Sequence, residues 1–281
     1  MKPIRWLREN GVMIFALLAL AYMLIPIAVI ALFSFNDPTG RYNFEWVGFT
    51  TQYWQNPFAI SELTDALMVS IRLAFFTAIG GTILGTLIAI ALVRYQFLGR
   101  RAANLLIVIP MATPEVVIGA SLLSMFLVYG VELGFTTLLI AHIMFCISFV
   151  VVVVRSRLIG FDRRLEEAAA DLGATSLTTF RKITLPLIAP GVASAALLSF
   201  ALSIDDFVIS NFNSGAEVTF PLYIFGANQR GIPVEVNVIA TMLFAVTVIA
   251  MLAVILQQRR AEKMMERRAD EASKPSVSLP I

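Results

Sequence analysis

Asp162-Arg163-Arg164-Leu165-Glu166-Glu167-Ala168-Ala169-Ala170-Asp171-Leu172-Gly173, running on through Thr175 and Ser176 to Ile183-Thr184-Leu185-Pro186, is the stretch that decides how this chain is built. Leu165, Ala168, Ala169 and Leu172 recur at i, i+3, i+4 and i+7, the spacing that puts side chains on one face of a helix. Asp162 is placed to cap that helix at its start and Gly173 to end it. Ser176 is then placed to cap a second short helix running to Ile183. The first helix carries a small apolar face with Arg164, Glu166 and Glu167 around it, a shape suited to lying in a groove of another protein. An ordinary amphipathic surface helix would show the same stripe.

Outward from this loop the chain turns apolar on both sides. Of its 281 residues, 58% are hydrophobic and 14% charged, too few polar groups to coat a water-soluble globule of that size. A hydrocarbon core about 30 Å thick needs roughly 20 apolar residues per helix. Six segments meet or approach that length: Gly11 to Phe35, Ala66 to Val93, Asn104 to Tyr129, Phe135 to Val154, Leu187 to Phe212 and Val238 to Leu256. The first resembles a secretory leader in having Lys2, Arg5 and Arg8 ahead of it. Its length, with Tyr22 and Pro26 inside and no small-residue cleavage site after it, reads as an uncleaved helix.

Orientation follows from local Lys and Arg placement. With the N-terminus in the cytoplasm, the loops and termini on that side carry 18 of the 21 basic residues, leaving Arg41, Arg72 and Arg230 elsewhere. The expected fold class is an all-α membrane protein of six transmembrane helices with both termini cytoplasmic. Residues 1–258 form the transmembrane domain, with the loop 158–186 inside it, and residues 259–281 a charged cytoplasmic tail whose alternating signs suit a solvated helix extension. Gly81, Gly85 and Ala89 line one face of the second span, where small residues allow close helix contact within the chain or with another subunit. Pro110 and Pro114 both remove backbone donors from the third span, which should be kinked or broken. His142 and Cys146 share a helix face, but two ligands without a convergent third make a poor metal site, so no metal is expected. The lone Cys146 also excludes an intrachain disulfide.

The loop has a further regularity: Glu167-Ala168-Ala169, three residues, Gly173, nine residues, then Ile183-x-Leu185-Pro186, two spans from the C-terminus. In this the sequence resembles the permeases of ABC importers, whose EAA loop has that spacing and position. The resemblance implies the type I ABC-importer permease fold, with Glu167, Ala168, Ala169, Gly173, Ile183, Leu185 and Pro186 coupling the chain to an ATP-binding subunit. No lysine follows a glycine, so a Walker A loop is absent from the sequence. The chain is expected to be a non-catalytic transport subunit binding no cofactor itself, with ATP and magnesium held by the partner.

Asn43-Phe-Glu-Trp-Val-Gly-Phe-Thr-Thr51, Ala141-His-Ile-Met-Phe-Cys146, Ser199-Phe-Ala-Leu-Ser-Ile-Asp-Asp-Phe207 and Gly231-Ile-Pro-Val-Glu-Val-Asn237 extend the resemblance to the spermidine/putrescine, PotC-like branch. That branch implies a sister permease (PotB-like), a homodimeric ATP-binding subunit (PotA-like) and an external substrate-binding protein (PotD-like) in the bacterial cytoplasmic membrane.

Physical chemistry leads to the same kind of cargo. Carboxylates inside a membrane are costly and face the bundle interior or a watery path. Glu115 falls near mid-membrane if the third span is one rod, and Asp205 and Asp206 fall near the outer third of the fifth, about 100° apart on a continuous helix. Trp46, beside acidic residues of the first external loop, adds an aromatic face for an amine cation. Arg72 lies at similar depth and either neutralises one aspartate or opposes a simple cation-attracting vestibule. Glu115 either meets the cargo or bonds backbone freed near the prolines. An intramembrane aspartyl protease needs two carboxylates facing each other from different elements, which adjacent positions on one helix cannot supply. A proton-coupled secondary transporter would use Glu115 but predicts internal repeats that the sequence lacks.

Overall fold

A computed structural model of the chain describes residues 2–40, 43–160, 162, 164–249 and 252. The end of the expected sixth span at Leu256, the tail 259–281, and Arg41 and Arg163 lie outside the described residues. The chain divides into two compact units, Met1–Ala59 with Gly231–Ile281, and Ile60–Arg230.

In the first unit, α1 (Lys2–Phe33) contains Pro26 and from Val12 onward exposes most of its apolar side chains, as a helix clothed by lipid would. The loop after it is knitted around Asn36. Its side-chain amide donates to Asn43 Oδ1 (2.6 Å) and to the Glu45 carbonyl (2.7 Å), and its oxygen accepts from Val47 N (2.8 Å). Asn43 in turn donates to the Phe33 carbonyl at 2.9 Å, satisfying an acceptor at the helix end. Phe35 stacks between Phe49 and Trp54, and α2 (Gln52–Gln55) follows.

The second unit begins with α3 (Ser61–Arg94), followed by α4 (Arg100–Ala112), α5 (Glu115–Val128), α6 (Phe135–Ile159), α7 (Arg164–Asp171), α8 (Ser176–Thr179), α9 (Leu185–Ile204), α10 (Val208–Asn213) and α11 (Phe220–Arg230). The last described helix of the chain, α12 (Val234–Ile249), returns to the first unit. Among the described residues four helical stretches, Asn10–Phe33, Ser61–Arg94, Phe135–Ile159 and Ser176–Ile204, are long and apolar enough to cross a membrane.

α3, α6 and α9 pack together as the centre of the second unit. Lipid tails are as apolar as leucine, so hydrophobicity gives helices little reason to associate in a bilayer and close fit must do so. The small-residue face of α3 supplies that fit inside the chain. A Cβ added at Gly85 would lie 2.5 Å from Val150 Cγ1 and 3.3 Å from the Ile147 carbonyl of α6, and Gly81 faces Cys146 and Ser199. Ala89, Leu92, Val150, Val151, Val154, Leu158, Ile188 and Ala195 fill one end of this bundle.

The expected third span is broken into α4 and α5, bent by 111°. Thr113, ahead of Pro114, is driven out of the helical region to φ −87°, ψ 136°, and Pro114 has no amide hydrogen to continue the ladder. The placement of Glu115 by counting residues along one rod therefore fails: it begins a new helix. The fifth span is also not one helix. It stops at Ile204, and α10 starts four residues later. Asp205 and Asp206 sit in the break, so the 100° separation expected of them does not apply.

Candidate coupling loop and carboxylate site

The loop from Asp162 to Pro186 folds as its chemistry dictates at both ends of α7. Asp162 Oδ1 accepts from Arg164 N at 3.0 Å, satisfying a donor at the helix start. Gly173 adopts φ +81°, and the chain reverses through Gly173 N to the Ala170 carbonyl (2.9 Å) and Ala174 N to the Ala169 carbonyl (3.0 Å). These paired bonds satisfy carbonyls that a helix leaves open, and the left-handed backbone they need favours glycine.

Two expectations change here. The cap of the second helix is Thr175, whose Oγ1 accepts from Thr178 N at 3.3 Å, one residue before the expected Ser176. That helix does not stop at Ile183. It widens into a π-helical turn over Phe180–Thr184 and runs straight into α9, with Leu185 N bonding to the Phe180 carbonyl. Pro186 cannot donate to the carbonyl one turn back, and the wider turn immediately before it takes up the irregularity without ending the helix.

Of the motif residues, Glu167, Ala168, Gly173 and Pro186 are exposed, as is Leu185, while Ile183 is half-buried and Ala169 is buried. Leu172, on the apolar stripe, is 89% exposed, an apolar group left largely uncovered by the described residues. The neighbouring Glu166 turns the other way. Its carboxylate receives bonds from the Arg94 guanidinium and the Thr184 hydroxyl.

A second cluster lies where α5 and α6 meet the break between α9 and α10. The Asp206 carboxylate accepts from Ile209 N (3.3 Å), Ser210 N (2.9 Å) and Ser210 Oγ (3.2 Å), capping α10. His142 of α6 lies between two serines, with Nδ1 2.8 Å from Ser203 Oγ and Nε2 3.1 Å from Ser210 Oγ and 3.4 Å from Asp206 Oδ2. Both neighbours of Nε2 point to that nitrogen carrying the hydrogen, because Asp206 only accepts and the Ser210 proton is already directed at Asp206. Nδ1 then accepts from Ser203. The histidine is packed and hydrogen-bonded, and Cys146 is turned to the Ser199 carbonyl at 3.7 Å.

Asp206 is buried, whereas Asp205 and Glu115 are exposed. Asp205 lies within electrostatic reach of both Asp206 and Glu115, so the two helix breaks bring three carboxylates into one neighbourhood. Asn213 of α10 donates to the Gly119 carbonyl of α5 at 3.3 Å, and Ile209 packs with Leu122 and Phe126, holding the two broken spans together. Arg72 pairs with neither aspartate. Among the described residues its guanidinium contact is the ring of Phe135, 5.0 Å from the centroid. Trp46, in the other unit, is 44% exposed and packs edge-on against Phe33.

Residues 81–266, which hold the loop and both helix breaks, match the family described as the binding-protein-dependent transport system inner membrane component. The chain belongs to that family. The permease is 43% identical over 245 residues to the spermidine/putrescine transport system permease protein PotC of Haemophilus influenzae, covering 87% of this chain and 93% of that protein. It is 36% identical over 265 residues to the putrescine transport system permease protein PotI of Escherichia coli K12, covering 91% and 93%. Among solved structures it is similar to a bacterial ABC transporter involved in the import of the acidic polysaccharide alginate, with a TM-score of 0.64, 19% identity, and 90% and 97% of the two chains covered. An amino acid ABC transporter is similar over 76% of this chain and 99% of that one, with a TM-score of 0.55 and 18% identity. These two likenesses show the fold of ABC-importer permeases in this mostly helical, multi-pass membrane protein.

The motif residues and the carboxylates stand out in the sequence of the permease, whereas the grouping of Arg94, Glu166 and Thr184 does not. Positions 94, 166 and 184 meet only through the fold, and neither periodicity nor spacing carries a sign of it.

Proposed function

We propose that this permease is the transmembrane subunit of an ATP-driven importer for polyamines of the spermidine/putrescine class, building the translocation path with a sister permease. The observation that carries the cargo is that Asp205, beside Asp206 at one helix break, lies within electrostatic reach of Glu115 at the other. Irregular backbone at membrane depth is tolerated where it is buried in protein or lines a cavity, and carboxylates there attract protonated amines strongly because little water screens them. PotC and PotI, named for spermidine and putrescine, support the same cargo. Glu115 and Asp205 are the exposed members that meet the amine, Asp206 holds the break that presents Asp205, and Trp46 offers an aromatic face to a cation arriving from outside.

In this reading six helices cross the bacterial cytoplasmic membrane with both termini in the cytoplasm. α4 and α5 together make the third span, and the helix beginning at Val234 makes the sixth. The transmembrane domain is 1–258 and the tail 259–281. A homodimeric ATP-binding subunit of the PotA kind holds ATP and magnesium and hydrolyses the nucleotide, so this chain binds no cofactor. It docks on Glu167, Ala168, Ala169, Gly173, Ile183, Leu185 and Pro186. A PotD-like binding protein delivers the amine and a PotB-like permease completes the path. The decisive experiment is uptake of radiolabelled spermidine into proteoliposomes holding all four components, with Glu115→Gln and Asp205→Asn as the variants. Uptake falls while assembly and basal ATP hydrolysis persist; unchanged uptake in both variants would remove the carboxylates from the path.

A further inference from the structure

We propose that Arg94, Glu166 and Thr184 form a clamp that makes α7, the end of α3 and the start of α9 move as one body, with Arg94 and Glu166 as positioning residues for coupling. The inference rests on reading the loop as the ATPase-docking device.

Beyond the bonds at its ends and its contacts with α8 and the π-helical turn, α7 has few buried side chains to hold it. It is two turns long, only Ala169 among its residues is buried, and Leu165 and Leu172 are left exposed. A helix this short is marginal in isolation and takes its position from its contacts. Glu166 supplies one of them: a single carboxylate oxygen receives both Arg94 Nη2 and the Thr184 hydroxyl. Arg94 Nη2 also reaches Thr184 Oγ1 at 3.5 Å, closing the three groups on one another.

Each partner sits at a mechanically informative place. Arg94 is the last residue of α3, the longest helix of the central bundle, so a cation there also complements the helix end. Thr184 is fully buried and ends the π-helical turn that leads into α9. The Arg94 and Glu166 side chains are only 18% and 15% exposed, so solvent and salt screen the pair less than a surface ion pair. The three groups line a cleft of about 270 Å³ together with Tyr95, Ala170, Ala174 and Phe180. Beside that open space, the polar clamp ties α7 to the end of α3 and the start of α9. A pull on the exposed Glu167 face is then passed through Glu166 to two bundle helices at once.

The test is the amount of radiolabelled spermidine taken up per ATP hydrolysed by the complete complex in proteoliposomes, with co-purification of the ATPase as a separate readout. Arg94→Glu and Glu166→Arg, each alone, should lower that ratio about tenfold, between the effects of surface and buried ion pairs, with the ATPase still bound. The exchanged pair Arg94→Glu with Glu166→Arg should recover most of it, because the attraction is restored and Thr184 can accept where it donated. Arg94→Gln and Glu166→Gln, which keep hydrogen bonding without the charge, should show the same direction if the reversals assemble poorly. Single variants with an unchanged ratio, or an exchanged pair no better than the singles, would overturn the clamp. Glu167→Ala separates the two ideas. If it disturbs docking or coupling while every Arg94 and Glu166 variant keeps the wild-type ratio, the clamp alone fails. If Glu167→Ala changes neither docking nor coupling, the docking reading itself fails.

Discussion

His142 Nε2 stands 3.1 Å from Ser210 Oγ, and through that hydroxyl a histidine of α6 fixes the break that exposes Asp205. The chain of bonds runs in one direction, from the Ser203 hydroxyl to Nδ1, from Nε2–H to Ser210, and from Ser210 to the Asp206 carboxylate. Replacing His142 by Leu leaves two serines and a carboxylate short of a buried partner, at a cost of about 2 kcal/mol. His142→Gln, which can donate and accept, should cost less. Thermal unfolding of the detergent-solubilised complex separates them, and equal melting temperatures for His142→Leu and wild type would contradict the network.

The aspartate pair should divide its roles. Asp206→Asn weakens the α10 cap, because its single amide oxygen can take only one of the Ile209 and Ser210 amides, which the two carboxylate oxygens now accept separately. The lost hydrogen bond is expected to cost about 1 kcal/mol in stability. Asp205→Asn leaves stability near wild type and lowers cation uptake. Melting and uptake measured on both variants check this; a stability loss in Asp205→Asn that exceeds that of Asp206→Asn would reverse the assignment.

At Gly85, α3 lies directly against Val150 and Ile147 of α6. An alanine there must push Val150 Cγ1 from 2.5 Å and also meets the backbone carbonyl of Ile147, so Gly85→Ala should destabilise by about 1–3 kcal/mol. Gly81→Ala meets Ser199 Oγ at 3.3 Å and should cost less. Membrane yield and melting temperature of the two variants report the difference.

Much of this architecture is legible in the sequence because it is local. Asp162 and Gly173 mark the ends of α7 through bonds spanning a few residues, and Pro114 breaks the third span through its own missing donor and its effect on Thr113. The fifth span hid its break, since Ser199 to Phe212 has no proline or glycine; there a buried carboxylate capping a new helix outweighs continuity. Thr175 and Ser176 are both competent caps, and only the path of the chain out of Gly173 selects the first. The face of Gly81, Gly85 and Ala89 could be read but its partner could not, and α6 supplies it.

Gly173 tests the loop without touching its contacts. A Cβ there has nothing within 4 Å, so Gly173→Val is penalised only by the φ of +81°, a strain of about 1–2 kcal/mol that unwinds the end of α7. Gly173→Asn, which tolerates that backbone, should keep far more activity. The ratio of uptake to ATP hydrolysis should fall for valine and stay near wild type for asparagine.

The most direct measurement is ATP-driven accumulation of radiolabelled spermidine by proteoliposomes containing this chain with its sister permease, ATPase and binding protein, compared with the same vesicles carrying Glu115→Gln and Asp205→Asn together. Wild-type vesicles should concentrate spermidine only when ATP is supplied, and the doubly substituted ones should take up at least about tenfold less while hydrolysing ATP at the basal rate. Accumulation without ATP, or undiminished accumulation after both substitutions, would contradict the account.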